Sequence, residues 1–155
     1  MTKNLPRLNV LLIEDSETQS IKAKAVLGDY CEIDHVTSLD ECHDVGRADV
    51  ALLDLNLPTS LGVDTVKRFR AGFPDVPIVV LSAIDDPSIE AECIASGAHA
   101  FFHKSQLEAE PIIRSMRAAI IAKMKEPRHS EHLRSIGEIK ALTEGILNRI
   151  DRLKR

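Results

Sequence analysis

The chain has 155 residues, of which 44% are hydrophobic and 28% are charged, and its formal net charge is −4. This composition is typical of a soluble globular protein, because a disordered chain has fewer apolar residues and a larger net charge. No apolar run approaches the roughly 20 residues of a bilayer-spanning helix, so we expect no membrane association. Residues 1–125 carry 13 basic and 19 acidic side chains, which argues against a broad basic surface for nucleic acid.

Short apolar runs alternate with helical patterns over residues 7–125. The apolar runs lie at 8–13, 32–36, 49–55, 76–83 and 99–102. Several are apolar without a break, as is typical of strands that are buried on both faces of a sheet. The chain therefore contains five candidate strands of the parallel, fully covered kind.

Five amphipathic patterns follow the five strands. The first, third and fourth end at Gly28, Gly72 and Gly97, and glycine commonly ends a helix. The second pattern, over residues 39–45, is weaker, and the fifth covers residues 112–124. Strands that alternate with helices predict an α/β fold, a doubly wound five-stranded parallel sheet with five helices.

Polar side chains follow four of the five predicted strands. Glu14 and Asp15 follow the first strand, Asp54 lies at the end of the third, Ser82 at the end of the fourth, and Lys104 after the fifth. The carboxyl ends of parallel strands share one edge of the sheet, where binding sites of such folds lie. Three carboxylates that converge there oppose one another's ionisation, and a hard cation such as Mg²⁺ would relieve that repulsion.

This set of residues has a chemical interpretation. A carboxylate beside a divalent cation and a lysine can act as a nucleophile toward a phosphoryl group, whose oxygens the positive charges stabilise. Taken singly, the acids could cap turns or helices, the serine could cap a turn, and the lysine could be a solvated surface residue. Their occurrence together at four strand ends favours the site.

Four motifs carry a family resemblance: LLIEDS, DLNLPTSLGVDTV, PIVVLSA and GAHAFFHKS. Over residues 1–125 the chain resembles the receiver domain of two-component response regulators, which has the CheY-like, flavodoxin-like fold. The resemblance implies that Asp54 is the phosphoacceptor. It also implies that Glu14, Asp15 and Asp54 hold Mg²⁺, with the backbone carbonyl of Asn56 as a further ligand.

The same resemblance assigns the remaining site residues. Ser82 and Lys104 are implied to contact the phosphoryl group, and Phe101 holds the position of the switch aromatic. Ser105 departs from the family pattern, because most receivers carry proline after the lysine. His99 and His103 flank the last strand, and we interpret them as packed or surface residues rather than metal ligands.

The resemblance implies a stand-alone response regulator of the cytoplasm. A histidine kinase or a histidine phosphotransfer protein would donate the phosphoryl group in a phosphorelay, and the change would switch a protein–protein contact. Such a protein catalyses only its own phosphorylation and dephosphorylation, and is not a turnover enzyme. Two alternatives stay open: a phosphate sink for a kinase, and a dimerisation scaffold with a relic receiver. A magnesium-dependent phosphatase is disfavoured, because those enzymes generally have an aspartate where this chain has Asn56.

Residues 126–155 extend beyond the receiver pattern, and Pro127 should end the preceding helix. An apolar residue at every third or fourth position predicts one further amphipathic helix, at the C-terminal end of this sequence. This helix is too short to be a DNA-binding domain, and it could form a homodimer, fold onto the receiver or bind another protein. A second candidate dimer surface is formed by the predicted fourth helix, fifth strand and fifth helix. The apolar residues of the tail interface are Leu133, Ile136, Ile139, Leu142, Ile146, Ile150 and Leu153.

Overall fold

The computed structural model describes residues 5–43 and 45–127, together with Glu144 and Arg149. The chain divides into two compact units, Met1–Met124 and Lys125–Arg155. The first unit contains a parallel sheet of five strands in the order β2-β1-β3-β4-β5. The strands are β1 (Leu8–Ile13), β2 (Cys31–Val36), β3 (Val50–Leu53), β4 (Ile78–Ser82) and β5 (Ala100–His103). The predicted five-stranded parallel sheet is confirmed.

Four α-helices connect or follow these strands in the described ranges. They are α1 (Glu17–Leu27), α2 (Val63–Gly72), α3 (Pro87–Ala95) and α4 (Ala109–Met124). Local sequence explains where two of them begin. The Ser16 side chain accepts a hydrogen bond from the Gln19 N–H, and Asp86 accepts one from the Ser88 N–H, so each satisfies a free amide of a first helical turn.

The prediction of five helices is not confirmed. Where the second helix was predicted, the described residues contain a single 3₁₀ turn, Leu39–Glu41. The Glu41 carboxylate accepts hydrogen bonds from the backbone N–H and the hydroxyl of Thr37, which stabilises this turn locally. Three apolar side chains, Leu39, Cys42 and Val45, still pack on the core, but so short a stretch, with Asp40 and His43 between them, does not provide enough contacts to sustain a longer helix.

Helices cover both faces of the sheet, and successive residues of β1 face the two cores in alternation. Val10 and Leu12 face a core that α1 and α4 complete, whereas Leu11 and Ile13 face the core beneath α2 and α3. All four side chains are buried, and full burial of such a side chain contributes about 1.5–3 kcal/mol. The unbroken apolar runs in the sequence are therefore the strands of a sheet with no solvent face.

The predicted C-terminal helix and its interface residues, 133–153, lie outside the described residues. Within that segment only Glu144 and Arg149 are described, and both are helical and exposed. Elsewhere in the described ranges, no helix has both the length and the apolar character that a membrane span requires.

Candidate functional site

The pairing of β1 with β3 brings Glu14 and Asp54 together. Ile13 of β1 is the partner of Leu53 of β3, and the Asp54 N–H donates to the Ile13 carbonyl at 3.0 Å. Glu14 continues β1 in the same way, since its N–H donates to the Val36 carbonyl at 3.0 Å. The two residues that follow paired strand ends therefore lie side by side at the carboxyl edge of the sheet.

Three carboxylates form a cluster at this edge. One oxygen atom from each of Glu14, Asp15 and Asp54 lies within 4.8 Å of the others. Glu14 and Asp54 are 3% and 4% exposed, whereas Asp15 is exposed to solvent. Because the donors are all hard carboxylate oxygens and one side of the cluster is open to water, the cluster fits a Mg²⁺ ion that keeps part of its hydration shell.

Lys104 supplies the positive charge within the cluster. Its Nζ atom lies 2.8 Å from Glu14 Oε2 and 3.4 Å from Asp54 Oδ2. One ammonium against three carboxylates leaves a formal charge of −2 when all four groups are ionised. That residual charge is complementary to a divalent cation and supports the assignment of the donor set.

The environment of Asp54 raises its pKa from the ordinary value of 3.8 to about 6. Burial is the largest cause, since it disfavours the charged form, and the neighbouring Glu14 carboxylate adds like-charge repulsion. The Lys104 ammonium and a backbone hydrogen bond from Asn56 act in the opposite direction. A buried carboxylate whose ionised form is destabilised in this way is a common feature of functional sites.

A short β-ladder restrains the loop after Asp54. Asn56–Leu57 pairs with Ser60–Leu61 in antiparallel orientation. The Leu55 carbonyl accepts hydrogen bonds from the Gly62 N–H at 2.8 Å and from the Thr65 hydroxyl at 3.1 Å. The loop thus holds the Asn56 backbone against the Asp54 carboxylate. Two strands of two residues each have no recognisable sequence period, and this ladder was not predicted.

Ser82 and Phe101 lie on adjacent strands of the sheet. Ser82 is the last residue of β4, is 1% exposed, and its hydroxyl accepts a hydrogen bond from the Ile84 N–H at 3.1 Å. Phe101 of β5 is partly buried against the core beneath α2 and α3 and is the register partner of Val80. The residues named from the sequence therefore lie at or near the carboxyl ends of β1, β3, β4 and β5.

Two histidines contact the backbone of the site. The His35 Nε2 lies 2.7 Å from the Glu14 carbonyl oxygen, and the His103 Nε2 lies 3.0 Å from the Ala83 carbonyl oxygen. His103 was interpreted as a packed or surface residue, and neither contact was predicted. Both link residues about twenty positions apart, so no local sequence signal could have indicated them.

Comparison with known families gives one domain match. The model of the response regulator receiver domain matches residues 10–116. This range contains the carboxylate cluster, the lysine and the serine described above. It covers more than two thirds of the chain.

Curated relatives extend the comparison. The chain is 31% identical over 110 residues to the cell cycle transcriptional regulator CtrA of Caulobacter vibrioides, a match that covers 66% of this chain and 48% of that protein. It is 25% identical over 120 residues to the transcriptional regulatory protein DegU of Brevibacillus brevis, covering 74% of this chain and 50% of that protein. The chain thus spans about half the length of these curated relatives.

Solved structures agree on the fold. A response regulator receiver domain protein from Clostridium thermocellum superposes with a TM-score of 0.63 at 21% identity, covering 76% of this chain and 97% of that one. CheY in a complex with CheX, BeF₃ and Mg²⁺ from Borrelia burgdorferi superposes with a TM-score of 0.64 at 17% identity, covering 73% of this chain and 89% of that one. At these identities the likeness establishes the fold alone.

Proposed function

The chain belongs to the response regulator receiver domain family of two-component signalling, and from that premise we propose that it is a phosphoacceptor switch that uses Asp54. The observation that carries the proposal is the position of Lys104, whose ammonium contacts both Glu14 and Asp54 within an all-carboxylate cluster. A relic receiver, kept only as a scaffold, would not need this complete arrangement of charges. The proposal is thus favoured over the scaffold alternative.

In the proposed reaction, an Asp54 carboxylate oxygen attacks the phosphorus atom of the donor. A new P–O bond to Asp54 forms while the bond from phosphorus to the donor breaks, and the donor leaves with the electron pair of that bond. Lys104 is placed to stabilise negative charge that moves onto the phosphoryl oxygens. The Ser82 hydroxyl would donate a hydrogen bond to one of these oxygens once the phosphoryl group is in place.

Glu14, Asp15 and Asp54 would hold the Mg²⁺ ion, with the Asn56 carbonyl as a further ligand. When bound, the ion supplies positive charge that offsets the repulsion among these carboxylates and the incoming phosphoryl group. The residues of the chain then have separate tasks: Glu14 and Asp15 bind the ion, Lys104 balances charge, and Asp54 is the nucleophile.

Phosphorylation would change which of two packings the domain prefers. The modification adds roughly −1.5 to −2 units of charge beside Lys104. Ser82 would leave the Ile84 N–H to reach the phosphoryl group, and Phe101 on the neighbouring strand would follow inward. The result is a population shift that alters the surface formed by α3, β5 and α4.

The donor would be a histidine kinase or a histidine phosphotransfer protein, and the output a protein–protein contact rather than DNA binding by this acidic domain. We place the receiver at residues 1–125 and a helical extension at residues 126–155, and the two compact units of the chain support that boundary. We further propose a cytoplasmic location and a homodimer, formed through the extension or through the α3-β5-α4 surface. A phosphate sink would have the same chemistry but no phosphorylation-dependent partner.

The first experiment is intact mass spectrometry after incubation with Mg²⁺ and acetyl phosphate. We expect one added phosphoryl group in the wild type, none without Mg²⁺, and none in Asp54→Asn. The asparagine variant is the matched control because it retains the size of the side chain but lacks the nucleophilic carboxylate. Addition of a phosphoryl group to Asp54→Asn, or addition without a divalent cation, would contradict the proposed site.

A further inference from the structure

His103 links the end of β4, which carries Ser82, to the turn that carries Lys104. His103 is the last residue of β5 and the register partner of Ser82, the last residue of β4. Its Nε2 atom lies 3.0 Å from the Ala83 carbonyl oxygen, across the strand pair. Its Nδ1 atom lies 2.6 Å from Ser105 Oγ and accepts a hydrogen bond from the Ser105 N–H at 3.1 Å.

The partners of the ring assign its two nitrogens. A backbone carbonyl can only accept, so Nε2 carries the proton and donates to Ala83. Nδ1 receives the Ser105 N–H, so it is the unprotonated acceptor, and the Ser105 hydroxyl donates to it as well. Because each nitrogen has a different partner, the plane and the tautomer of the imidazole are both fixed.

The loop after β4 is thereby held at its first residue. Ala83 lies between Ser82, whose hydroxyl is a proposed contact of the phosphoryl group, and Ile84, whose N–H donates to that hydroxyl. A bond to the Ala83 carbonyl therefore restrains the peptide units on both sides of it. Lys104, which directly follows His103, contacts Glu14 and Asp54.

The presence of Ser105 after the lysine has a physical role in this arrangement. The Ser105 N–H donates to His103 Nδ1, and a proline at that position has no N–H to donate. Residues Lys104–Gln106 form a 3₁₀ turn that begins with His103 as its cap. Where a proline would restrain the backbone with its ring, His103 and Ser105 restrain it with a hydrogen-bonded turn.

We propose that His103 is a positioning residue for phosphorylation of Asp54, acting through its hydrogen bond to the Ala83 carbonyl, which sets the position of Ser82. This inference rests on the proposed function. Catalytic groups that are misplaced by about 1 Å lose much of their effect, because the reaction depends on preorganised geometry. The hydrogen bonds of His103 within the described residues go to Ala83 and Ser105 and not to the three carboxylates.

Two amide variants separate the contacts of the ring. In His103→Gln, the side-chain amide nitrogen reaches about as far as Nε2 and retains a donor for Ala83. In His103→Asn, the side-chain oxygen replaces Nδ1 as the acceptor for Ser105, but no donor reaches Ala83. The measurement is the rate of phosphoryl transfer from acetyl phosphate to Asp54 of the full chain with Mg²⁺, in which acetate leaves as the P–O bond to Asp54 forms.

We expect His103→Asn to slow phosphorylation about tenfold, in keeping with the cost of a misplaced catalytic group, and His103→Gln to stay within about twofold of the wild type. The Mg²⁺ affinity of both variants should match the wild type, since the carboxylates are untouched. In a Ser82→Ala background, His103→Asn should cause no further loss, because its effect passes through Ser82. A general loss of structure would instead lower Mg²⁺ affinity and add to the Ser82→Ala defect.

Three results would contradict the proposed role of His103. Equal rates for His103→Asn and wild type, equal defects for the Asn and Gln variants, or an undiminished His103→Asn effect in the Ser82→Ala background would each overturn the inference. In those cases the wild type is still phosphorylated and the proposed function stands. A wild type that accepts no phosphoryl group removes the proposed function and this inference with it.

Discussion

At the scale of single residues, the site combines a reactive position with a cost in stability. The Asp54 carboxylate is buried beside Glu14, and its pKa of about 6 lies above the ordinary value of 3.8. A carboxyl group whose pKa is raised by folding favours the folded state most when it is protonated. This contribution is complete below pH 4 and is lost as the pH rises through 6.

Asp54→Asn should therefore be more stable than the wild type without divalent cations. At pH 7.5 with a chelator, we expect a gain in unfolding free energy of about 1–3 kcal/mol, since one pKa unit corresponds to about 1.4 kcal/mol. The gain should shrink toward pH 4, where the wild-type carboxyl is protonated. Urea denaturation across this pH range measures the difference.

The control for this prediction is addition of Mg²⁺. A cation that binds only the folded wild type raises its stability by mass action, so saturating Mg²⁺ should narrow the gap between the two proteins. If Asp54→Asn is less stable than the wild type at pH 7.5 in the presence of the chelator, the ionised Asp54 carboxylate does not destabilise the folded state, and the prediction is wrong.

Most of the site residues could be predicted at this scale, because a polar residue after an apolar strand is visible in the sequence. Glu14, Asp54 and Lys104 were identified in this way, and the structure brings them into contact. The role of His103 could not be predicted, since its partner Ala83 is identified only by the pairing of β4 with β5.

At the scale of elements, glycines at helix ends differ in what they tolerate. Gly97, between α3 and β5, has a φ of +116°, and a Cβ atom there would lie 2.3 Å from Arg70 Nη1. Gly72 ends α2 with ordinary backbone angles, and a Cβ atom there would meet nothing within 4 Å. Only the first position requires glycine for conformational reasons.

Gly97→Ala should lower the free energy of unfolding by about 1–3 kcal/mol, because the backbone angle is strained for any side chain and Arg70 must move. Gly72→Ala, the matched control, should be neutral or stabilising by up to about 1 kcal/mol. Urea denaturation of both variants beside the wild type measures the difference. Equal stabilities of the two variants would contradict this account.

The helix prediction was least accurate where propensity and burial disagree. Over residues 39–45 the spacing of apolar residues is helical, but Asp40 and His43 are poor helix formers, and the described residues of this range form only one turn. The α2 and α4 patterns succeeded because each buries several apolar side chains on the sheet, whereas α3 contributes only Cys93 and Ile89 to the core but begins with the capping side chain of Asp86. Short patterns carry less packing energy, so local hydrogen bonds decide their structure.

At the scale of the whole molecule, the two covered faces of the sheet bury all three cysteines. Cys31, Cys42 and Cys93 are free thiols, and burial raises the pKa of Cys31 and of Cys42 to about 11. Burial also raises the pKa of Cys93. Since the thiolate is the reactive form, the packed core protects these side chains chemically as well as sterically.

The native protein should therefore resist alkylation. At pH 8, a rise in pKa from 9.0 to about 11 lowers the thiolate fraction of Cys31 about a hundredfold. We expect iodoacetamide to add to none of the three thiols in the time that modifies all three in urea, with intact mass as the measurement. Rapid modification of the folded protein would show that the core opens readily.

The strand order has one consequence for synthesis of the protein in a cell. β1 is an interior strand of the sheet, and β5, the last of the five strands to be made, lies at an edge. Glu14 and Lys104 are separated by 90 positions in the chain, yet they form an ion pair of 2.8 Å. A nascent chain that has not yet released its fifth strand from the ribosome has its acidic residues but not its lysine. The carboxylate cluster therefore gains its lysine only after the fifth strand has left the ribosome, so a shorter nascent chain lacks the ammonium that contacts Glu14 and Asp54.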